Sequence, residues 1–266
     1  RAARDTEKML VVVFCDPRHT DIYDEYLDSL AVNKAFRKSA DNIVLCRLPL
    51  DYKVKLTPTA EQEAAAAAAD KDAEHKEIKL ITHSAFAEMH QRPGFVFIDY
   101  VHTKSKYYGR VVNIYPFKGR FLSASQLLVM MDLPEGSLTQ RTMIFAVRTH
   151  PEAPASTRGS FISELAEETE SHSQHQANIR VQGHHQWDSR FHRINSRLGR
   201  GLLAREVVAE SWPGQDLVDA AEEAVHSWRQ SPGHWSAVRS SHPVFAFDIK
   251  RGLNGIWYAT GIFGNR

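Results

Sequence analysis

One apolar stripe that runs into a proline break most constrains the fold of this chain. Leu217, Ala220, Ala221, Ala224, Val225 and Trp228 recur at three- and four-residue spacing, which predicts a helix over Gln215 to Trp228 with one buried face. Ser231-Pro232-Gly233 then ends it: Pro232 has no N–H to donate, and Gly233 admits the positive φ common where helices terminate. His234 follows that stop directly, placed to point into a pocket.

The first half of the chain follows other periods. Met9 to Cys15 is an unbroken apolar run rich in β-branched residues and predicts a buried, parallel strand. After the break at Asp16-Pro17, Ile22, Tyr26, Leu27, Leu30 and Phe36 fall at helical spacing, and Ile43 to Leu48 returns to strand, giving one βαβ unit. A helix opened by Thr57 or Thr59 and running through Ala64 to Ala69 has high propensity but no apolar stripe, so residues 57–80 read as an exposed insertion. Next come a short helix over Ser84 to His90, strands over Phe95 to Tyr100 and Tyr107 to Tyr115, and a helix over Gln126 to Leu133.

Met143 to Arg148 reads as a short helix or a strand, and the proline-rich stretch from His150 to Thr157 as a boundary. The expected organisation is a first domain over 1–133, a connector over 134–153 and a second domain over 154–266. In the second, Phe161, Leu165 and Thr169 share a helix with His172 and His175, whose acidic run Glu164 to Glu170 reads as a solvated face. Trp187, Phe191 and Ile194 form another helical pattern, with His184 and His185 at its start. Leu202 to Ser211 carries Glu206 and Glu210, and Gly252 to Gly255 signals a hairpin turn between two apolar runs. The five tryptophans are expected in the core or lining a cleft.

Composition excludes several classes. Lys plus Arg number 33 against 32 for Asp plus Glu, a net charge of +1 that leaves no electrostatic footprint for nucleic acid. No run of about 18 apolar residues exists to predict a transmembrane segment. Two cysteines, Cys15 and Cys46, make no disulfide framework. An opening Arg-Ala-Ala-Arg-Asp without initiator Met or apolar signal core leads us to expect a mature or trimmed chain.

Trp228 with Ser231-Pro232-Gly233-His234 resembles the Trp-x-x-Ser-Pro-Gly-His segment of bacterial members of the CAP superfamily (cysteine-rich secretory proteins, antigen 5, pathogenesis-related proteins), and Gly255 to Gly264 is similar to that family's aromatic-rich terminus. The match spans roughly Pro154 to Gly264. It implies an α-β-α sandwich with a central cleft and a secreted, periplasmic or cell-envelope location. Carried over, it implies a cleft at which His184 or His185, Glu206 and His234 match the family's positions, with His185, Glu206 and His234 as a ligand set for zinc or another divalent cation; Glu210, on the same segment as Glu206, is counted with that cleft. Arg205-Glu206-Val207 departs from the family's Gly-Glu-Asn, and Trp257-Tyr258-Ala259-Thr260 from its terminal His-Tyr-Thr-Gln.

The element order across Met9 to Leu133 resembles a thioredoxin-like fold, so the fold class expected overall is α/β and α+β. That resemblance puts Phe14 to His19 at the redox loop and Arg92-Pro93 at the cis-proline, but Arg18 stands where a resolving cysteine belongs. Cys15 and Cys46 read as buried thiols, with a single reactive thiol at Cys15, helped by Arg18 and His19, as the other reading. Two functions follow: a non-redox, ligand-binding protein whose cleft takes a protein, lipid or carbohydrate, or a metal-dependent hydrolase with Glu210 as base.

Overall fold

The computed structural model describes residues 1–57, 60, 64, 68, 76–199 and 201–265, and it mixes helices and strands in two compact units, Arg1–Phe121 and Leu122–Arg266. The first unit runs α1 (Ala2–Asp5), β1 (Met9–Cys15), α2 (Thr20–Ala31), α3 (Lys34–Ala40), β2 (Ile43–Pro49), β3 (Lys53–Lys55), β4 (Glu77–Lys79), β5 (Gly94–Ile98) and β6 (Val111–Pro116). Four strands form one sheet in the order β2-β1-β5-β6. β1 is parallel to β2, from Met9 opposite Ile43 to Cys15 opposite Pro49, and antiparallel to β5. Its seven residues are almost wholly buried, as an apolar run without alternation requires.

Local chemistry explains where this unit differs from the sequence reading. The helix after β1 is split at Asn33, whose side chain accepts the Phe36 N–H and so caps a second helix. β3 and β4 form a separate two-stranded ladder that flanks the insertion; most of the alanine-rich helix lies outside the described residues. Ser84–Met89 is a 3-10 helix. β6 starts at Val111 because Gly109, at φ +72°, turns the chain just before it. No cis peptide bond occurs among the described residues, so Arg92–Pro93 is trans, against the thioredoxin-like expectation. Cys15 is buried, and burial pushes its thiol pKa up against the opposing pull of Arg47, which disfavours the thiolate that exchange needs.

The second unit contains α4 (Ala124–Met131), α5 (Leu138–Thr149), β7 (Ser160–Phe161), α6 (Ser163–Ile179), α7 (Trp187–Leu198), β8 (Leu203–Glu210), α8 (Leu217–Gln230), α9 (Pro232–Arg239), β9 (Val244–Arg251) and β10 (Trp257–Asn265). Its sheet has the order β7-β9-β10-β8, with β9, β10 and β8 antiparallel. Alternation divides the sheet between two helical layers. Ala204, Ala246 and Ile262 pack with Leu165 of α6 and Ile194 of α7. On the opposite face Phe247 meets Trp228 of α8 at 5.7 Å and Phe263 at 5.4 Å. Gly261 is required there, since a Cβ would stand 2.5 Å from the Phe247 ring.

The connector expected over 134–153 is instead part of this unit. Ser137 and Gln140 form a capping box, and α5 buries every residue from Gln140 to Val147 as it packs on α8 and β9. A helix buried all round shows no stripe, which is why Met143 to Arg148 read ambiguously. Within it the fully buried Arg141 donates to the carbonyls of Leu133 (2.8 Å), Pro134 (2.7 Å) and Met130 (3.2 Å), satisfying the end of α4. Trp212 is 67% exposed, outside both core and cleft. No helix among the described residues is long and apolar enough to cross a membrane.

Arg141→Met keeps the side-chain bulk but strands those buried carbonyls. It is expected to lower stability by about 2–4 kcal/mol in urea unfolding, whereas Arg239→Met, on the exposed end of α9, should stay within about 0.5 kcal/mol of wild type.

Candidate functional site

α8 ends at Gln230, and Ser231 is extended before Pro232 opens α9 as its first residue. Proline suits that position because its missing N–H has no helical partner there. Ser-Pro-Gly therefore starts a helix as well as ending one. Gly233 is not among the residues with positive φ, which corrects the left-handed stop expected for it. His234 lies in the first turn of α9, and Arg205 of β8 fixes that turn by donating to the Gly233 carbonyl at 2.8 Å.

The second histidine comes from the loop between α6 and α7, which is pinned at both ends by left-handed residues, Arg180 and Gln186. His172 Nε2 donates to the Gly183 carbonyl at 2.9 Å, and the Gly183 N–H donates to Gln176 Oε1 at 3.1 Å, so α6 holds the loop from below. His184 then turns towards β8, where its Nδ1 lies 3.0 Å from Glu206 Oε1. The other oxygen, Oε2, pairs with Arg190 Nη2 of α7. Burial pushes the Glu206 pKa up, yet the hydrogen bonds from His184 and Arg190 and the Arg190 charge outweigh it, leaving the carboxyl below its ordinary value.

These contacts fix the tautomers. An ionised Glu206 only accepts, so His184 carries its proton on Nδ1 and presents the Nε2 lone pair outward. His234 Nε2 lies 3.4 Å from that nitrogen and is the donor across the pair. Burial lowers the His234 pKa, and the repulsion that a protonated His184 would exert and the Arg205 charge lower it further, so His234 is neutral near pH 7. The result is a relay running from Arg190 through Glu206 and His184 to His234.

Three of the five residues expected at the site thus converge: His184, Glu206 and His234. His185 does not. Its Nε2 donates to Val181 within its own loop at 3.1 Å, and its ring lies against those of His175 and His172, at 5.6 and 6.1 Å between centroids. Glu210 is exposed opposite Tyr258, on the face of Glu206 but four residues along β8, about 13 Å away.

The expected set His185, Glu206 and His234 therefore does not fit a metal. His185 faces elsewhere, and both Glu206 oxygens are engaged behind His184. No group of three or more His, Cys, Asp or Glu side chains placed to hold a metal occurs among the described residues.

The residues that the sequence reading missed are Arg190 and His172. Both carried a signal. Arg190, Arg193 and Arg197 share one face of α7 by spacing, opposite the acidic run of α6. Glu168 is only 5% exposed and takes a bidentate pair from Arg193 at 2.9 and 2.6 Å, Arg197 reaches Glu167 at 2.8 Å, and Glu170 pairs with Lys250 at 2.9 Å. The solvated face expected for Glu164 to Glu170 is, at Glu168 and Glu170, an ion-paired one. No protein-family model matches the sequence, and no curated protein matches it at a significant level.

His172 gives the site a pH signature. Burial lowers its pKa to about 4 despite the nearby Glu206 carboxylate. The unfolded chain binds this proton below about pH 6.5 and the folded one does not, so stability falls as pH drops from about 6.5 to about 4, by up to about 3 kcal/mol. Asp248 works the other way, since burial raises its pKa from 3.8 to about 6 and the folded state is penalised as pH rises through that window. We expect the difference in Tm between wild type and His172→Asn to shrink steadily from pH 7 to pH 4. A difference independent of pH would show that His172 does not titrate with folding.

Proposed function

We propose that the second unit is a CAP-like recognition module of a secreted or cell-envelope protein, whose ligand sits at the His184–His234 pair. The first unit is read as a thioredoxin-like domain without redox chemistry. The observation that carries the cleft is the 3.4 Å approach of two imidazole nitrogens at the edge strand β8, one of them oriented from behind by a buried carboxylate. A ligand hydroxyl that replaces the direct imidazole hydrogen bond would donate to His184 Nε2 and accept from His234 Nε2, which suits a ligand bearing hydroxyl groups, as carbohydrates, lipid headgroups and peptides do. Support for the first unit comes from its mixed sheet, a parallel βαβ pair followed by an antiparallel hairpin. The secreted or cell-envelope location rests on the CAP resemblance alone.

A second reading, the metal-dependent hydrolase, draws on the same nitrogens. Their spacing is close to the edge of a tetrahedron of zinc ligands, roughly 3.3 Å, and a carboxylate behind a metal-binding histidine is a common orienting arrangement. Only two protein nitrogens converge, so the ligand-binding reading is preferred.

Thermal unfolding of metal-stripped protein, with and without Zn²⁺, separates the two. At a free-metal concentration of about one hundred times Kd, native-state binding adds roughly 2.7 kcal/mol. The recognition reading expects no shift that depends on the histidines, together with saturable movement of the His184 and His234 ring resonances on titration with an oligosaccharide, lipid headgroup or peptide panel. A Zn²⁺ shift lost in both His184→Ala and His234→Ala would favour the hydrolase reading instead. Ligand-induced movement that spares both rings would overturn the cleft.

A further inference from the structure

Three segments of the second unit meet at one end of its sheet. Residues 251–257 form the hairpin between β9 and β10. The end of α6 lies against that hairpin, since a Cβ on Gly252 would stand 2.9 Å from the Ala177 carbonyl oxygen. β8 leaves the sheet beside it, where the Ser211 N–H donates to the Trp257 carbonyl at 2.9 Å. Each segment puts large apolar side chains into solvent: Ile179 and Val181 at the end of α6, Trp212 after β8, and Leu253 at the hairpin tip, which is 92% exposed. Local bonds hold these turns in place. Asn254 donates to the Tyr258 hydroxyl, the Gly255 N–H to the Gly252 carbonyl and the Trp212 N–H to Gln215 Oε1, each at 2.9 Å.

A single exposed apolar residue needs no explanation, but four gathered at one end do. The charge there is of one sign. Residues 177–182, 211–215 and 251–257 contain two arginines and no Asp or Glu, in a chain that carries 32 acidic residues. Arg180 stands between Ile179 and Val181, and Arg251 two positions before Leu253; both are exposed, and neither forms an ion pair among the described residues. The flanking carboxylates, Glu210 and Asp216, belong to β8 and to the cap of α8. A folded partner needs a matching packed surface, whereas these side chains project from three separate turns, which a fluid lipid surface accepts without shape complementarity. We propose that this end of the second unit docks on an anionic lipid bilayer, with Leu253, Trp212, Ile179 and Val181 entering the interface and Arg180 and Arg251 meeting lipid phosphates. Tryptophan favours the headgroup level, and arginine keeps its charged head at the phosphates while its stem lies along apolar neighbours. The His184–His234 pair takes no part, so this surface stands apart from the ligand assigned to that pair.

The test is co-sedimentation of the full chain with vesicles of one-third phosphatidylserine and two-thirds phosphatidylcholine, run beside vesicles of phosphatidylcholine alone. Saturable binding to the anionic vesicles is expected, at least about tenfold weaker without phosphatidylserine and weakened by added salt. Leu253→Asp should weaken it by at least about tenfold, and Arg180→Gln or Arg251→Gln by about fivefold each. All three positions are exposed, so Tm should stay that of wild type. Val32→Asp is the control: Val32 is 76% exposed but lies in the first unit, and its loss should leave binding unchanged. Brominated acyl chains should quench tryptophan fluorescence in the wild type and much less in Trp212→Phe. No binding to anionic vesicles, equal binding without phosphatidylserine, or binding that survives Leu253→Asp would each overturn the proposal. Self-association lost in Leu253→Asp, without vesicle binding, would overturn it in favour of a second copy of this chain.

Discussion

The carboxylate of Glu206, taken out of water on β8, is the interaction on which the second unit's candidate site depends. A buried carboxylate is tolerated only when paired and hydrogen-bonded. Arg190 supplies the charge and His184 a second donor, and each of those commitments orients something else. Arg190 ties the start of α7 to the sheet and lies 5.5 Å from the Trp187 ring centre. His184 is turned so that its free nitrogen meets His234, which Arg205 and Pro232 have set from the opposite side of the same strand. Without the buried charge there would be no reason for two histidines fifty positions apart in sequence to face each other.

Beneath the site, α6 carries the same logic inward. Leu165, Thr169, His172 and Gln176 follow helical spacing on its buried side, so polar groups occupy positions that core helices usually give to Leu or Ile. They are not orphaned. Ser173 donates to the Asp248 carbonyl at 3.1 Å, and both Ser173 and Gln176 reach Thr260 Oγ1 at 3.0 Å. Asp248 accepts from Thr139 at 2.6 Å and lies 3.3 Å from Lys250. A polar seam thus crosses beneath the helix from β8 to β9, and the opposed titrations of His172 and Asp248 lie within it.

Much of the architecture was legible in the residues. The continuous apolar run of β1, the stripe of α8 and the hairpin at Gly252 to Gly255 all announce themselves by period or turn chemistry, because each faces a single kind of neighbour. What escaped is what depends on a partner far along the chain. α5 has no stripe because it is buried all round, and Glu168 reads as solvated until Arg193 is placed beside it. At the site, His184, Glu206 and His234 were named from motif positions, but the choice between His184 and His185 turns on a loop geometry set by two left-handed residues that no local rule required. Arg190 stands at an apolar-stripe position of α7, which was a usable sign of a buried charge.

The Glu206–Arg190 pair also bears on how the second unit assembles. β8 and α7 are neighbours in sequence, yet either one docked alone would present a bare charge to a closing interior, at a cost of several kcal/mol. A partly collapsed chain with β8 in the sheet and α7 detached is therefore an uphill species and not a resting place. Sheet edge and helix are expected to engage together in a single cooperative step, so the His184–His234 pair is assembled only when the whole unit is folded.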